Sequence, residues 1–481
     1  MGDFSTYVSL FFVLNILFAI TIIFLERKNP TATWAWIMVL LLLPNVGFVL
    51  YLLFSQNLSK KRIFKLRKEE DELINTFRDE EVSLLTNNEI RFKDQSMTQY
   101  QDMIYMNLIN SNAFFTQDNE IDIFTDGNIK FDQLIKSIED AKDHVHMLYY
   151  IIKNDSISRR IINALIKKAQ NGVEVRLLYD EVGSRSISKK LLRELKKAGG
   201  KAVPFFPSRI PFINFRINYR NHRKLVIIDG KHGFIGGFNI GDEYLGLDKK
   251  MGYWRDTHLK IKGNAVQSIQ LRFLLDWRHA ARETLDNLDK YFVDVKNPGD
   301  SGVQIVSSGP DSEQEQIKYG YIKMINSAKE SIYIQTPYFI PDDSLLEALK
   351  IAALSGVDVR IMIPNKPDHI FVYWATYSYI GELLKAGARA YIYDKGFLHA
   401  KTFVMDGKIA SVGTANVDVR SFRLNFEVNA FIYDSAVASE LKNVFEKDIE
   451  DCKEITREIY SNRSNVIKIK ESISRLLSPI L

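Results

Sequence analysis

The chain contains the same segment twice. NHRKLVIIDGKHGFIGGFN (Asn221 to Asn239) and LHAKTFVMDGKIASVGTAN (Leu398 to Asn416) each hold His-x-Lys, an Asp five positions after the Lys, then Gly and Asn at fixed distances. A single offset of 177 residues links His222 to His399, Lys224 to Lys401, Asp229 to Asp406, Gly236 to Gly413 and Asn239 to Asn416. The likeness extends upstream. SIEDAKDHVHMLYYI, ALIKKAQNGVEVRLLYD and LKKAGGKAVPFF are answered by MINSAKESIYIQTPYF, ALKIAALSGVDVRIMIP and LLKAGARAYIY. Each copy reads as helix, buried strand, helix, strand, helix, strand, with Gly172 and Gly356 closing a helix before an apolar run. Strands alternating with helices imply an α/β layer architecture, once per copy. The boundary between copies is expected in the turn-rich stretch Asn297 to Gly302. At 481 residues the chain exceeds the size at which one core stops growing, which fits two globular domains plus an anchor.

The spacing has a chemical meaning. RKLVII and KTFVM are short β-rich runs, so a His and a Lys two residues apart are expected on one face of a strand. An imidazole and an ammonium then converge on one ligand, and two copies brought together present two of each. Asp229 and Asp406 fall at odd offsets just before a Gly, where they are expected to fix a turn and pair with a basic group. Asn239 and Asn416 follow Gly236-Gly237 and Gly413-Thr414, places where backbone can come close to a phosphate. His144 and His146 share a strand face, but no Cys and no third ligand accompanies them, so a core or groove-facing pair is expected rather than a metal site. His232, His258, His279 and His369 stand outside the doubled pattern and read as ordinary. The aromatic and arginine-rich run FFPSRIPFINFRINYR, ending at Arg220, reads either as a rim to a lipid entrance or as a plain strand.

The first sixty residues have another character. Tyr7 to Leu25 is uncharged, and its 19 residues approach the ~20 a helix needs to cross a bilayer. A second uncharged stretch, Thr31 to Asn57, is kinked or interrupted by Pro44-Asn45, as membrane helices tolerate. No Lys or Arg precedes the first run and no small-x-small site follows it, which argues against a cleaved leader. Lys60, Lys61, Arg62, Lys65, Arg67 and Lys68 follow the second run, against Arg27 and Lys28 between the runs, so the larger cluster and everything after it are expected on the cytoplasmic face. The lone Cys452 suits that side. A net charge of +5 suits an anionic membrane surface and is too small to argue for nucleic acid. The tail VIKIKESISRLLSPIL has helical apolar spacing and is expected to dock on the body.

The doubled His-x-Lys-x4-Asp, each followed by Gly-Gly or Gly-Thr and then x-Asn, resembles the signature of the phospholipase D superfamily. The resemblance implies two tandem phospholipase D-like domains with a pseudo-two-fold shared active site, no metal and no cofactor, and attack on a phosphodiester by one histidine. It makes His222, Lys224, Asp229, His399, Lys401 and Asp406 the catalytic set and Asn239 and Asn416 phosphate ligands, with His222 as nucleophile and His399 as acid and base. It also implies a carboxylate that orients each histidine, matched by Asp256 in YWRDTHL and Glu427 in NFEVNAF. The expected division is a transmembrane hairpin over 1-58 (helices about 7-25 and 34-54), a charged helical connector over 59-115, and the two domains over 116-298 and 299-481. NYRNHRK, QTPYFIPD, GTANVDVRSF and the terminal ESISRLLSPIL are similar to the bacterial cardiolipin synthase branch. That branch implies transfer between two phosphatidylglycerols in the bacterial cell membrane, with anionic lipids and no nucleic acid as partners. A hydrolytic phospholipase D releasing phosphatidic acid is the alternative. A nuclease gains nothing from a two-helix anchor. Another lipid donor or acceptor, and the oligomeric state, stay open.

Overall fold

The computed structural model describes residues 2–25, 30–54, 78–79, 81–87, 89–207, 218–283, 287–296, 298–366, 368–476 and 478. The basic cluster Lys60 to Lys68, the Arg27-Lys28 loop and the middle of the run before Asn218 lie outside them. The chain divides into a small unit, residues 1–68 and 208–218, and a large unit, residues 69–207 and 219–481.

The small unit holds helices Gly2–Leu25, Pro30–Leu42 and Val46–Phe54. The second apolar stretch, expected as a helix over 34-54 kinked or interrupted at Pro44-Asn45, is two helices that break there. Pro44 lacks a donor and Asn45 takes a left-handed φ of 61°, so the ladder stops there. The Asn45 amide is answered by the Asn15 Oδ1 at 3.3 Å. Ile22, Leu40 and Tyr51 pack together, and Phe18 stacks on Phe48 at 3.9 Å. Large apolar side chains point outward, Phe24 at 71% and Leu42 at 74% exposure. Side chains of the first helix are described from Leu10 onward, and among the described residues no helix is long and apolar enough to cross a membrane.

In the large unit the repeat becomes a symmetric sheet. The first copy contributes strands in the spatial order Phe115–Phe124, His258–Gly263, His232–Gly236, Leu225–Ile228, His144–Tyr149, Glu174–Asp180, Lys201–Phe205. The second runs Ser301–Ser308, Asn425–Tyr433, Ile409–Gly413, Thr402–Met405, Ser331–Gln335, Asp358–Pro364, Arg389–Tyr393, with Cys452–Ile455 added at its edge. The orders correspond strand for strand. Phe115–Phe124 and Ser301–Ser308 pair antiparallel, joining the copies about a pseudo-two-fold axis into one sheet, whose sixteenth strand, Arg220–Asn221, pairs off this path with Asn425–Tyr433.

Each copy keeps its last three strands parallel, as helix crossovers require. The crossover helices are Ser156–Gln170 and Lys189–Lys197 in one copy, Asp343–Leu354 and Ile370–Ala386 in the other. Gly172 and Gly356 close the first helix of each pair at φ of 84° and 93°, where a side chain would be strained. The turn-rich boundary is short, since a strand already begins at Ser301.

The segment before the first copy is partly core. Helix Gln101–Ser111 buries Met103, Ile104 and Leu108 in the second copy's cluster, and its Asn107 amide donates to Gln304 and Tyr433. The tail forms helix Asn465–Leu476, tied to helix Ile370–Ala386 through Arg475 and Glu382 at 3.3 Å.

Candidate active site

The two motif segments enter the site as short extended stretches just before strands Leu225–Ile228 and Thr402–Met405, one step earlier than the expected strand face. Each is laid against the other copy. Arg220–Asn221 pairs in parallel with Asn425–Phe426, and the His222 N–H donates to the Phe426 carbonyl at 2.9 Å. Gly396–Leu398 pairs in parallel with Tyr253–Arg255, and the His399 N–H donates to the Arg255 carbonyl at 2.7 Å.

This exchange crosses the carboxylates over. His222 Nδ1 meets Glu427 Oε2 at 2.9 Å, and His399 Nδ1 meets Asp256 Oδ2 at 2.6 Å. Each histidine therefore takes its carboxylate from the opposite copy. With Nδ1 protonated toward the carboxylate, each Nε2 keeps a lone pair for the cleft.

The lysines lie alongside. Lys224 Nζ donates to the His222 carbonyl at 2.6 Å and Lys401 Nζ to the His399 carbonyl at 2.5 Å. Each lysine acts electrostatically on both histidines or on its counterpart, so the two copies share one site. Burial dominates its electrostatics. It pulls His222 and His399 down to about 4, so both rings are neutral at pH 7 in the empty site. It brings Lys401 down to about 8 and Lys224 well below the ordinary lysine range, with the site carboxylates pulling back. Burial also pushes Asp256 and Glu427 up, but their histidine and lysine neighbours outweigh it and hold both carboxyls below their usual range.

The remaining expected residues fall into two groups. Asn239 and Asn416 are both buried but differ. Asn239 is used by the fold, accepting from the Ile151 N–H at 3.2 Å and donating to the Tyr244 hydroxyl at 3.1 Å, whereas Asn416 Oδ1 is buried with no partner. Asp229 and Asp406 stand at the far end of their strands, seven residues or roughly 20 Å of extended chain from the histidines. Asp229 accepts the backbone N–H groups of Lys142, Asp143 and His144, and Asp406 those of Lys329, Glu330 and Ser331. Backbone amides thus take the place of the expected basic partner, and φ of 65° and 60° at Gly230 and Gly407, after 53° at both aspartates, explains the glycine in each turn. His144 and His146 lie in the core around Gln270.

Several side chains on the site carried no signal in the spacing. Thr414 Oγ1 donates to Glu427 Oε2 at 2.5 Å, in the position where the first copy has Gly237, whose missing Cβ makes room for Asp256. Tyr150 presents an edge to His222, and Trp254 lies 5.3 Å from His399. Arg223 forms a buried pair with Asp276 at 2.7 Å and donates to the Glu427 carbonyl, and Arg255 grips Asp448 from the other copy. Removing one partner of such a buried pair costs about 3–5 kcal/mol. The Gly237-to-Thr414 difference was the one readable clue.

Among the described residues no group of three or more His, Cys, Asp or Glu is placed to hold a metal ion. Two imidazoles accompanied by two lysines can cleave a phosphodiester, one ring attacking while neutral and the other giving up a proton once it has gained one, with the lysines countering the charge.

The family described as "Cardiolipin synthase, PLD-like domain" matches residues 134–277 and 321–449, and the one described as "Phospholipase_D-nuclease N-terminal" matches 13–56. Cardiolipin synthase from Oceanobacillus iheyensis is 56% identical over 481 residues, 100% of both chains. Major cardiolipin synthase ClsA from Bacillus subtilis is 57% identical over 478 residues, 99% of each. Among solved structures, phosphatidylserine synthase from Haemophilus influenzae superposes with a TM-score of 0.60 at 14% identity, over 79% of this chain and 100% of that one, a likeness of fold.

Proposed function

The chain belongs to the cardiolipin synthases of the phospholipase D superfamily, and on that premise we propose that it is a phosphatidyltransferase that joins two phosphatidylglycerols into cardiolipin and releases glycerol. The observation that carries the reading is the crossed pair of His–carboxylate contacts facing two buried lysines.

In the first half-reaction His222 Nε2 attacks phosphorus and the P–O bond to the departing glycerol breaks. Glu427 steadies the imidazolium that forms, while His399 delivers a proton to the glycerol oxygen. A bound phosphodiester, by adding negative charge beside His399, raises its proton affinity from the low value of the empty site. In the second half-reaction the neutral His399 takes the proton of the acceptor's glycerol hydroxyl. The new P–O bond forms as the P–N bond breaks, and the enzyme returns to its starting state. Lys224 and Lys401 balance the charge of the five-coordinate state, and the side-chain NH2 of Asn416 donates to its oxygens. Asp229 and Asp406 serve the turns that aim the motif strands.

Incubating the purified chain with labelled phosphatidylglycerol tests the reading. Cardiolipin with released glycerol supports it, and phosphatidic acid as main product overturns it. The hydrolytic alternative draws no support from the relatives above.

We further propose that residues 1–58 form a two-segment membrane hairpin, residues 59–115 a connector, and 116–298 and 299–481 the two domains, with the body on the cytoplasmic face. The outward apolar side chains of the small unit and the basic cluster after it support this. Cysteine labelling of intact cells at an introduced C-terminal cysteine tests it, and rapid reaction with an impermeant reagent overturns it.

A further inference from the structure

The duplication is strict at His, Lys, Asp, Gly and Asn but breaks two residues before each histidine, with Arg220 in the first copy and Phe397 in the second. Residues two apart in an extended segment share a face, so Arg220, His222 and Lys224 point together. Asn221 and Arg223 point the other way, where both bond Asp276. Phe397 is fully buried, its ring 4.8 Å from Trp254. It is part of the core.

Arg220 is only 7% exposed, yet its guanidinium makes one hydrogen bond, from Nη1 to the Tyr219 carbonyl at 3.3 Å, and no ion pair among the described residues. Asp180 attracts it from a distance, but both Asp180 oxygens are taken by the backbone N–H groups of Val182, Gly183 and Asn221. Arg185 and Arg420 add like charge nearby. A largely buried guanidinium whose remaining donors are left to solvent, among positive neighbours, is a ready partner for an anion. Its planar fork matches a phosphate.

We propose that Arg220 binds the phosphodiester of the second lipid, the acceptor phosphatidylglycerol, and so selects an anionic lipid alcohol over a neutral alcohol or water. The inference rests on the transfer reading above. The reacting phosphate occupies the space between the two histidines and two lysines, so a second phosphate has to sit beside that clamp. Two residues of extended chain place Arg220 roughly 7 Å from His222, comparable to the three-carbon bridge that separates the phosphates of the product. The second copy offers an apolar ring at the equivalent point. This assigns the acceptor's headgroup to the His222 side.

The test gives the full-length enzyme phosphatidylglycerol together with ethanol in mixed micelles and measures cardiolipin against phosphatidylethanol. In Arg220→Gln the cardiolipin-to-phosphatidylethanol ratio is expected to fall on the order of tenfold or more, the scale of a lost charge-assisted hydrogen bond. Phosphatidylethanol formation stays near the wild-type level. Arg220→Lys, which keeps charge but not the fork, regains part of the ratio, and it decides the matter if the Gln variant melts early. An unchanged ratio in both variants overturns the acceptor role while wild-type cardiolipin formation stands. Equal loss of both products overturns it too, by moving Arg220 to the donor phosphate. If the wild type forms no cardiolipin, the transfer reading itself fails, and this inference with it.

Discussion

The two histidines occupy equivalent places in a duplicated fold, yet their surroundings differ. Glu427 accepts from His222, from the Thr414 hydroxyl and from the Asn425 amide, so its charge is divided among several donors. Asp256 accepts from His399 at 2.6 Å and from the Thr257 N–H at 2.7 Å. A carboxylate with fewer competing donors stabilises an imidazolium more. On that argument His399 is better suited to hold and return a proton, and His222 to remain the neutral nucleophile. Duplication supplied two copies of the chemistry, and the neighbours then divided the labour.

The largest effect belongs to the histidines themselves. His222→Ala removes the atom that bonds phosphorus, so turnover falls on the order of 10^4-fold or more and no covalent lipid adduct forms with any donor. His399→Ala keeps the nucleophile and loses the proton relay, a loss of roughly 10^2- to 10^4-fold. A donor with a p-nitrophenol leaving group needs no acid and still loads it. Mass spectrometry after a quench should find lipid phosphate on His222 of the His399→Ala protein. An adduct on His399 of the His222→Ala protein would reverse the comparison.

The lysines come next. Lys224→Met and Lys401→Met should each lower kcat by roughly 10^2- to 10^3-fold, as the loss of one charge-stabilising donor does. Burial makes both more acidic. Lys401 is held to about 8, so kcat/KM, which reports the free enzyme, should decline as pH rises past about 8. Lys401→Arg, always charged, should remove that decline. A decline that persists assigns it to another group.

A smaller effect reads both histidines through stability. Burial lowers each from the unfolded value near ~6.5 to about 4. Between those values the unfolded chain binds more protons than the folded one, so their contribution is complete above about 6.5 and is lost as pH falls toward about 4. Thermal melts of the empty enzyme should drop across that window. His222→Asn and His399→Asn should each flatten the drop by a similar amount. A flattening in only one of them would show that the halves differ in burial as well as in bonding.

How much of this was legible in the sequence follows the same division. The repeat fixed the crossover order, because helix and strand periods recur in both copies, and it marked the histidines and lysines by their shared offset. Which copy supplies each carboxylate was not legible. Asp256 and Glu427 sit 17 and 11 residues past their asparagines, and no spacing tells that the extended motif segments are exchanged between copies. The core role of helix Gln101–Ser111 was hidden too, since its charged flanks mask the buried Met103, Ile104 and Leu108. Equal motifs also concealed unequal asparagines, because the Tyr244 hydroxyl that engages Asn239 comes from the turn Asp242–Leu245 just past the motif.

The smallest expected effect on turnover concerns Asp229 and Asp406, the one pair whose surroundings match in both copies. Each carboxylate caps three consecutive backbone N–H groups at the start of a central strand, His144–Tyr149 in one copy and Ser331–Gln335 in the other. An Asn keeps one acceptor oxygen but loses the charge and turns an NH2 group toward amides that also donate. Each Asp→Asn change should therefore cost about 1–3 kcal/mol of stability, the penalty for leaving buried donors unmet. The motif strand would still run toward the site in the folded fraction, so kcat at a temperature well below the melting point should stay within about threefold, as expected for a group outside the reacting set. The double variant should lose the sum of the two, because the turns lie in different copies and share no partner. A variant that melts like the wild type yet has lost turnover would place that aspartate in the chemistry after all. If only one of the two behaved so, the symmetry of the turns would be as superficial as that of the histidines.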